Sequence, residues 1–223
     1  MTGAANTSKA PPSLLKTFAA STAVLLAGLA FMLHATEQGR AFTTEALRRS
    51  QVDRAPQALP DFALLDANGA SHSLHTWLKS SHRVWVVNFI YTRCQTVCSA
   101  QGAVYQQLQT QLQNHVSTSR SPHPVGLLSI SFDPAHDNSS ALKDYAQRMR
   151  IEPATWQVLT LKRASDRQRL LDAFGILVLP AALGEFEHNA AFHIVNADSK
   201  LVRIVDMSTP TLALEAALIE GKR

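Results

Sequence analysis

The sequence predicts an α/β domain behind an apolar N-terminal segment. Residues 84–90 and 124–132 form two almost purely apolar runs, and strands without polar alternation are typical of central parallel strands covered on both faces. Each run precedes a segment whose apolar residues recur at helical spacing. The only two cysteines of the chain, Cys94 and Cys98, stand at the first of these strand-to-helix junctions.

The remaining elements follow from local patterns along the chain. Short strands are predicted at 61–65 and 156–161, a brief helical turn begins near Leu74, and residues 176–187 are predicted to be a loop. Capping and turn residues mark the other boundaries. Asn138 or Ser139 caps the second long helix, Gly175 ends the third, and Pro210 opens the last helix. Residues Asn196–Lys200 form the turn of a hairpin between strands 189–195 and 201–205. From residue 84 onward the order is β-α-β-α-β-α-β-β-α, which matches a thioredoxin-like fold.

The N-terminal segment is long enough to reach across a membrane. Residues 17–33 run for seventeen positions without a charge, which is the lower limit for a spanning helix. Lys9 and Lys16 precede this run, and basic residues favour the cytoplasmic side. We therefore expect a cytoplasmic N-terminus at 1–16, a single-pass inner-membrane anchor at 17–36, a tether at 37–60 and a thioredoxin-like domain at 61–223 that faces the periplasm. A cleaved signal peptide is the alternative, and both would place the domain where disulfides can form.

The charge distribution argues against a nucleic-acid partner. The net charge is +4, and residues 1–60 contribute three of these charges through six Lys or Arg against three Asp or Glu. The predicted domain is therefore nearly neutral, and no basic stripe is interleaved with aromatic residues. We expect no nucleic acid among the partners.

The two cysteines have three candidate roles. A strand followed at once by a helix would place both thiols in or beside the first helical turn, where backbone N–H groups and the helix dipole favour a thiolate. If the helix begins near Cys94, the i, i+4 spacing stacks both sulfurs on one face. A structural disulfide would close only a short loop and stabilise little. Thiol–disulfide oxidoreductases usually carry Cys-x-x-Cys, whereas the wider spacing here also suits a soft ion such as Cu(I), or Zn.

A metal held by two thiolates needs a third ligand, and the chain has nine histidines. Those upstream of residue 140 lie in irregular or polar stretches, where a solvated histidine is the usual case. His188 and His193 remain, at the entry and in the middle of the predicted strand 189–195. His193 is as compatible with a half-exposed sheet position as with a site. His188 lies where loops gather at the active end of such a fold, but the residues alone leave its role open.

Several motifs resemble the Sco (SenC) family of copper-binding assembly proteins. They occur in family order: Asn88-Phe89-Ile90-Tyr91-Thr92-Arg93-Cys94 followed by Cys98, Ser131-Phe132-Asp133-Pro134 with Asp137, Trp156-x-x-Leu159-Thr160, Phe174-Gly175, and Glu187-His188-Asn189 before a strand. The resemblance covers the chain from about residue 61 to its end, behind a membrane anchor such as many members have.

The resemblance implies a specific site and function. Cys94, Cys98 and His188 are expected to hold one copper ion per chain, as Cu(I) or Cu(II). The expected role is that of a membrane-anchored metallochaperone rather than an enzyme, which delivers copper to, or helps assemble, the dinuclear copper site of cytochrome c oxidase. The implied partners are the copper-site subunit of the oxidase and another copper chaperone or a thiol reductase. Asp133 and Asp137 are expected near the site, with turn formation and helix capping as the alternative.

Two other functions stay open at this point. In the first, Cys94 and Cys98 are a redox-active pair, with Cys94 as the attacking and Cys98 as the resolving thiol, that reduces cysteines of the oxidase subunit or of another exported protein. Many family members carry Pro after each cysteine, whereas this chain has Gln95 and Ser99. The proline that thioredoxin-type reductases place before the strand facing the pair is absent from that position here. The second is a peroxidase of the same fold, which is disfavoured because the chain lacks Pro-x-x-x-Thr-x-x-Cys.

Overall fold

The computed structural model describes residues 14–35, 43–94, 97–116, 123–181 and 185–223, and for 97–100 and 115–116 it describes the backbone only. The chain divides into two units, residues 1–50 and residues 51–223. The helices are α1 (Leu14–Ala35), α2 (Thr44–Arg54), α3 (Leu74–Ser81), α4 (Val97–Val116), α5 (Ser139–Arg148), α6 (Arg167–Phe174) and α7 (Pro210–Glu220). The strands are β1 (Gln57–Ala58), β2 (Ala63–Asp66), β3 (Ser71–Ser73), β4 (Val84–Ile90), β5 (Val125–Ser131), β6 (Trp156–Leu161), β7 (Val178–Pro180), β8 (Phe186–His188), β9 (Ala191–Val195) and β10 (Lys200–Asp206).

The first unit contains helix α1, which is long and apolar enough to cross a membrane by its length and composition. Its 22 residues extend about 33 Å at 1.5 Å per residue, close to the thickness of a bilayer's hydrocarbon core. Its apolar window has a mean hydropathy of 1.8. The predicted N-terminal apolar helix is therefore present as a candidate membrane span, and it begins three residues before the predicted apolar run.

The second unit is built on an eight-stranded mixed sheet with the order β1-β10-β9-β4-β5-β6-β2-β3. Strands β4, β5 and β6 are parallel neighbours, and β9 pairs antiparallel with the other side of β4. Parallel neighbours require a crossover connection, which α4 and α5 supply. This arrangement confirms the predicted thioredoxin-like α/β fold.

Helices cover both faces of the sheet, as the apolar runs predicted. All seven residues of β4 are buried, and successive side chains of a strand point to opposite faces. Val87 and Phe89 belong to one core together with residues of α2, α3 and α6. Val86 and Ile90 belong to a second core with residues of α4, α5 and α7. The strand before Cys94 is therefore held rigidly from both sides.

The domain begins earlier than the predicted boundary at residue 61. Val52 and Leu59 are buried in the core, and Gln57 and Ala58 form the edge strand β1, which pairs with β10. The second unit starts at Gln51, so part of the segment predicted as a tether, 37–60, belongs to the domain. A two-residue strand and isolated buried residues leave no periodicity in the sequence by which to recognise them.

Residues 176–187 contain a small hairpin where a loop was predicted. Strands β7 and β8 pair antiparallel, with Val178 opposite His188. The hairpin ends at His188, and β9 begins only at Ala191. Strands of three residues are too short for alternation to be visible in the sequence, and the prediction of a loop was wrong for this reason.

Capping residues confirm several predicted boundaries. The side chain of Asn138 accepts a hydrogen bond from the N–H of Ala141 at 3.0 Å and caps α5. Gly175 follows α6 in the left-handed conformation with φ of 62°, which glycine adopts without a steric penalty. Pro210 stands at the first position of α7, where a missing N–H costs nothing.

The topology brings three segments of the chain to one edge of the sheet. Because β4 and β5 are parallel, their last residues Ile90 and Ser131 lie at the same edge. Because β9 is antiparallel to β4, its first residue Ala191 lies at that edge too. Cys94 follows the first of these segments and His188 precedes the last. The strand directions alone therefore gather the predicted ligands at one end of the domain.

Candidate metal centre

Cys94 lies in the turn between β4 and α4. Its backbone N–H donates to the carbonyl of Tyr91 at 3.3 Å, and its half-buried side chain packs against the core that contains Phe89 and Phe132. Helix α4 begins at Val97. The stacking of both sulfurs on one helix face was conditional on a helix that begins near Cys94, and this condition is not met, because Cys94 lies in a turn before the helix starts.

Cys98 is the second residue of α4, and its side chain lies outside the part of the chain that the structure describes. The N–H groups of a first helical turn have no partner within the helix, and the helix dipole adds positive potential there. This backbone position favours a thiolate over a thiol. The pair thus combines a turn residue with a residue at the start of a helix.

Asp137 fastens the turn that carries Cys94. Its buried carboxylate accepts hydrogen bonds from the backbone N–H of Thr92 at 2.9 Å and from the hydroxyl of Thr92 at 2.6 Å. The hydroxyl of Ser131, at the end of β5, donates to the same carboxylate. Asp137 therefore connects the neighbouring strand to the turn. These contacts support turn formation, which the sequence offered as the alternative to a role in the site.

Asp133 holds the outer side of the same turn. Its carboxylate is buried, and it accepts from Arg93 Nη2 at 3.1 Å and lies 2.9 Å from Nδ1 of His136. The side chains of Arg93 and His136 are about half exposed. Asp133 therefore anchors a charged surface patch directly beside Cys94.

His188 presents a nitrogen lone pair that suits a metal. Its Nδ1 lies 3.1 Å from the carbonyl oxygen of Asn189, and because a carbonyl can only accept, Nδ1 carries the proton in this contact. The lone pair is then on Nε2, which is buried and has no hydrogen-bond partner among the described residues. Burial lowers the pKa of His188, against the opposing effect of the Asn189 hydrogen bond. The neutral imidazole is the form that binds metals.

Tyr91 connects the cysteine turn to the hairpin that carries His188. Its hydroxyl donates to the carboxylate of Glu185 and accepts from the backbone N–H of Phe186 at 3.1 Å. The same hydroxyl is within hydrogen-bonding contact of the Cys94 side chain. Burial raises the pKa of Tyr91 far above its ordinary value, and the contacts with Cys94 and Glu185 raise it further. Tyr91 is therefore a neutral hydrogen-bonding bridge.

Three residues that line a narrow cleft between β4, α4 and the hairpin each have a buried polar atom without a hydrogen-bond partner among the described residues. These atoms are Nδ2 of Asn88, Oε1 of Gln101 and Nε2 of His188. Neither Gln101 nor Tyr91 was predicted to be a site residue. The position of Gln101, three residues after Cys98 on a helix, was a signal available in the sequence.

His193, the other histidine considered as a ligand, is a core residue. It is 1% exposed, its Nε2 donates to the carbonyl of Phe174 at 3.0 Å, and its ring lies edge-on to Phe89 and Phe174. The half-exposed position expected for it was wrong, because β9 is covered on both faces. Its Nε2 is therefore used in a hydrogen bond within the core and is not available as a metal ligand.

Among the side chains that the structure describes, no three of His, Cys, Asp or Glu are grouped as a metal site. Cys98 is not among those side chains. The structure places Cys94 and His188 at the same end of the domain and links them through Tyr91. The complete set of Cys94, Cys98 and His188 stays a prediction.

Comparison with known proteins identifies the family. The family model described as SCO1/SenC matches residues 50–220, which is nearly the whole of the second unit. The chain belongs to the SCO1/SenC family. The resemblance found in the motifs is thereby confirmed, and the match begins near the start of the folded domain rather than at residue 61.

Individual relatives agree with this assignment. The SCO1 protein homolog of Bacillus subtilis (strain 168) is 28% identical over 144 residues, which span 64% of this chain and 70% of that protein. BsSco, described as a cytochrome c oxidase assembly protein of the Sco family with a disulfide switch, has a TM-score of 0.61 at 23% identity, covering 75% and 95% of the two chains. Yeast Sco1 with copper bound has a TM-score of 0.58 at 16% identity, covering 74% and 88%. The two structural matches show a shared fold.

Proposed function

We propose that this SCO1/SenC protein is a membrane-anchored copper-binding chaperone that serves the assembly of the dinuclear copper site of cytochrome c oxidase. Cys94, Cys98 and His188 would bind one copper ion, which is cargo rather than a permanent cofactor. The observation that carries the proposal is the buried Nε2 of His188, which has no hydrogen-bond partner among the described residues. It is supported by copper-bound structures of other Sco proteins.

The chemistry of the donor set fits copper. Thiolates are soft ligands that select Cu(I), and imidazole suits copper as well. Burial favours the neutral form of His188, so that its lone pair is available without loss of a proton. The half-buried position of Cys94 leaves its sulfur reachable from the surface. The set would therefore bind copper tightly while still allowing a partner to approach it.

Cys94 is held more rigidly by the fold than His188. This difference suits a protein that releases its copper ion. Cys94 follows a central strand that is buried on both faces, and Asp137 fastens its turn. His188 ends a two-stranded hairpin of three residues per strand, and such a hairpin has little stability of its own. We infer that His188 is the ligand that leaves when copper passes to the acceptor.

The expected location follows from α1. A helix of this length and composition would anchor the chain in the inner membrane. Lys9 and Lys16 would stay in the cytoplasm, which places the copper domain on the periplasmic side. The acceptor would be the copper-site subunit of the oxidase, whose copper site faces that compartment.

An anaerobic Cu(I) competition titration of the full chain in detergent tests this proposal. The wild type should bind one equivalent, and Cys94→Ser, Cys98→Ser and His188→Ala should each weaken binding. Because even groups that only support a ligand are worth about 10- to 100-fold in affinity, loss of a ligand should cost more than about 100-fold. His72→Ala is the control, since His72 lies on the edge strand β3, away from the site, and hydrogen-bonds Asp66 of β2. Undiminished affinity in Cys94→Ser would refute the copper site.

A thiol–disulfide exchange function is the second candidate, and the placement of Cys98 favours it. A thiol in the first turn of a helix is readily deprotonated. One thiolate of the pair would attack a partner disulfide and form a mixed disulfide, and the other would resolve it, so that the partner leaves as a dithiol while Cys94–Cys98 becomes the disulfide. A reduction potential near the roughly −270 mV of thioredoxin would support this role, and a much more oxidising value would exclude it.

A further inference from the structure

Gln101 brings a buried amide oxygen to the predicted copper site. Positions 98 and 101 of α4 are three residues apart and therefore lie on the same face of the helix. Gln101 is 4% exposed, and its Oε1 has no hydrogen-bond partner among the described residues. Buried polar atoms are almost always satisfied in native proteins, and an exception points to a missing ligand.

The surroundings of this oxygen point to a cation. Gln101 lines the same cleft as His188, whose Nε2 also has no hydrogen-bond partner among the residues that the structure describes. The cleft is narrow, which favours a small ion over a larger ligand. Both atoms offer lone pairs, and a metal ion is the species that accepts lone pairs from an oxygen and a nitrogen together.

Asn88 lines the same cleft as Gln101, and its side-chain amide has a defined orientation. Trp156 Nε1, which can only donate, lies 2.9 Å from the hydroxyl of Ser129, and that hydroxyl donates to Oδ1 of Asn88 at 2.7 Å. The Asn88 amide is therefore oriented with Nδ2 as its remaining group, and this atom has no partner among the described side chains. A carbonyl oxygen has two lone pairs. Because Oε1 of Gln101 has no hydrogen-bond partner among the described residues, Asn88 included, both of its lone pairs are open to a cation.

We propose that Oε1 of Gln101 is a fourth, weak ligand that stabilises Cu(II) at this site and leaves Cu(I) unaffected. This inference rests on the proposed function, because it requires copper at Cys94, Cys98 and His188. Two thiolates and one imidazole satisfy Cu(I), whereas Cu(II) prefers further nitrogen or oxygen ligands, and a glutamine oxygen serves as the weak axial ligand in some copper proteins. Because the amide is neutral, it adds no charge to the site. It would therefore favour Cu(II) over Cu(I) only by supplying the additional ligand that Cu(II) prefers.

The test compares the affinities of the full chain in detergent for Cu(I) and Cu(II) after Gln101→Leu, which keeps the volume and removes the oxygen. Cu(II) affinity should fall about tenfold, in the range typical of a weak ligand or supporting group, and the Cu(II) electron paramagnetic resonance spectrum should change. Cu(I) affinity should stay at the wild-type value. An unchanged Cu(II) affinity and spectrum would overturn the proposal.

Gln109→Leu is the matched control. Gln109 lies two turns later on the same helix and is similarly buried, but its amide is satisfied by Arg150 and Glu152. This variant should lose stability without changing the Cu(II) spectrum. If Gln101→Leu does not fold, Gln101→Asn shortens the side chain and should give the same selective loss of Cu(II). A wild type that binds neither oxidation state would instead refute the proposed function, which separates the two failures.

Discussion

The hydroxyl of Tyr91 donates a hydrogen bond to the carboxylate of Glu185, ninety-four residues further along the chain. The first residue follows the strand that leads to the cysteines, and the second precedes the hairpin strand that ends in His188. The N–H of Phe186 donates to the same hydroxyl at 3.1 Å, and the Tyr91 ring lies edge-on to Phe186. The side chain of Tyr91 therefore positions the hairpin that ends in His188 relative to the turn that carries Cys94.

Removal of this hydroxyl should weaken copper binding selectively. Tyr91→Phe keeps the ring contacts and deletes the hydrogen bonds, each worth about 0.5–1.5 kcal/mol. We expect the hairpin to loosen and Cu(I) affinity to fall about tenfold, which corresponds to about 1.4 kcal/mol. The measurement is the same anaerobic competition titration used for the ligand variants.

Tyr105→Phe provides the comparison for this variant. Tyr105 is also buried, and its hydroxyl donates to the carbonyl of Val86 at 3.0 Å, within the opposite core. Its replacement should lower stability by a similar amount and leave copper affinity unchanged. Equal copper losses in both variants would mean that Tyr91 contributes only general stability.

Asp137→Asn should destabilise both the fold and the site. The carboxylate accepts from the N–H and hydroxyl of Thr92 and from the hydroxyl of Ser131, whereas an amide presents N–H groups to some of these donors. Leaving buried donors unsatisfied costs about 1–3 kcal/mol, measurable as a lower urea midpoint. Asp198→Asn in an exposed hairpin turn should change little. A copper affinity that survives in Asp137→Asn would show that the turn does not position Cys94.

Asp61 should make stability depend on acid pH. Burial acts to raise the pKa of Asp61, but hydrogen bonds from the N–H of His75 and the hydroxyl of Ser73 outweigh it and hold the pKa below its ordinary value of 3.8. The carboxylate of Asp61 therefore binds a proton more readily in the unfolded chain than in the folded one. The stabilisation is present above about pH 4 and is lost as the pH falls through the pKa of Asp61 in the folded state. Asp61→Asn should lower the urea midpoint at pH 7 and flatten its decline below pH 4. Parallel pH profiles for wild type and variant would contradict this role.

A membrane anchor at α1 would give the domain a defined orientation. Alkaline phosphatase, which is active only after export, should be active when fused behind Arg223, and the fusion should stay with membranes in high salt. Removal of residues 1–36 should abolish both properties. An inactive fusion of the full chain would place the domain in the cytoplasm and exclude a role at the periplasmic side of the oxidase.

The long central elements were predictable because burial on both faces leaves uninterrupted apolar runs. Strands β4, β5 and β6 and the caps at Asn138 and Gly175 occur where the sequence indicated them. The hairpin β7–β8 was not recognised, since three-residue strands carry no measurable alternation. The start of the domain was missed for a similar reason, because Val52 is a single buried residue within a polar helix.

The site was predictable only in part. Cys94 and His188 were predicted as ligands through family motifs, whereas nothing in the spacing of the cysteines showed that α4 begins only at Val97. The bridge from Tyr91 to Glu185 depends on a contact between distant segments, and no local pattern encodes such a contact. Without the family motifs His193 could not be separated from His188, because burial of β9 on both faces appears only once the sheet is assembled.

X-ray absorption spectroscopy at the copper edge tests the central claim most directly. The full chain loaded with one equivalent of Cu(I) should show two sulfur ligands and one imidazole nitrogen, from Cys94, Cys98 and His188. His188→Ala should lose the imidazole contribution and keep both sulfurs, while His72→Ala should match the wild type. A spectrum without sulfur ligands, or an imidazole contribution that persists in His188→Ala, would contradict the proposed site.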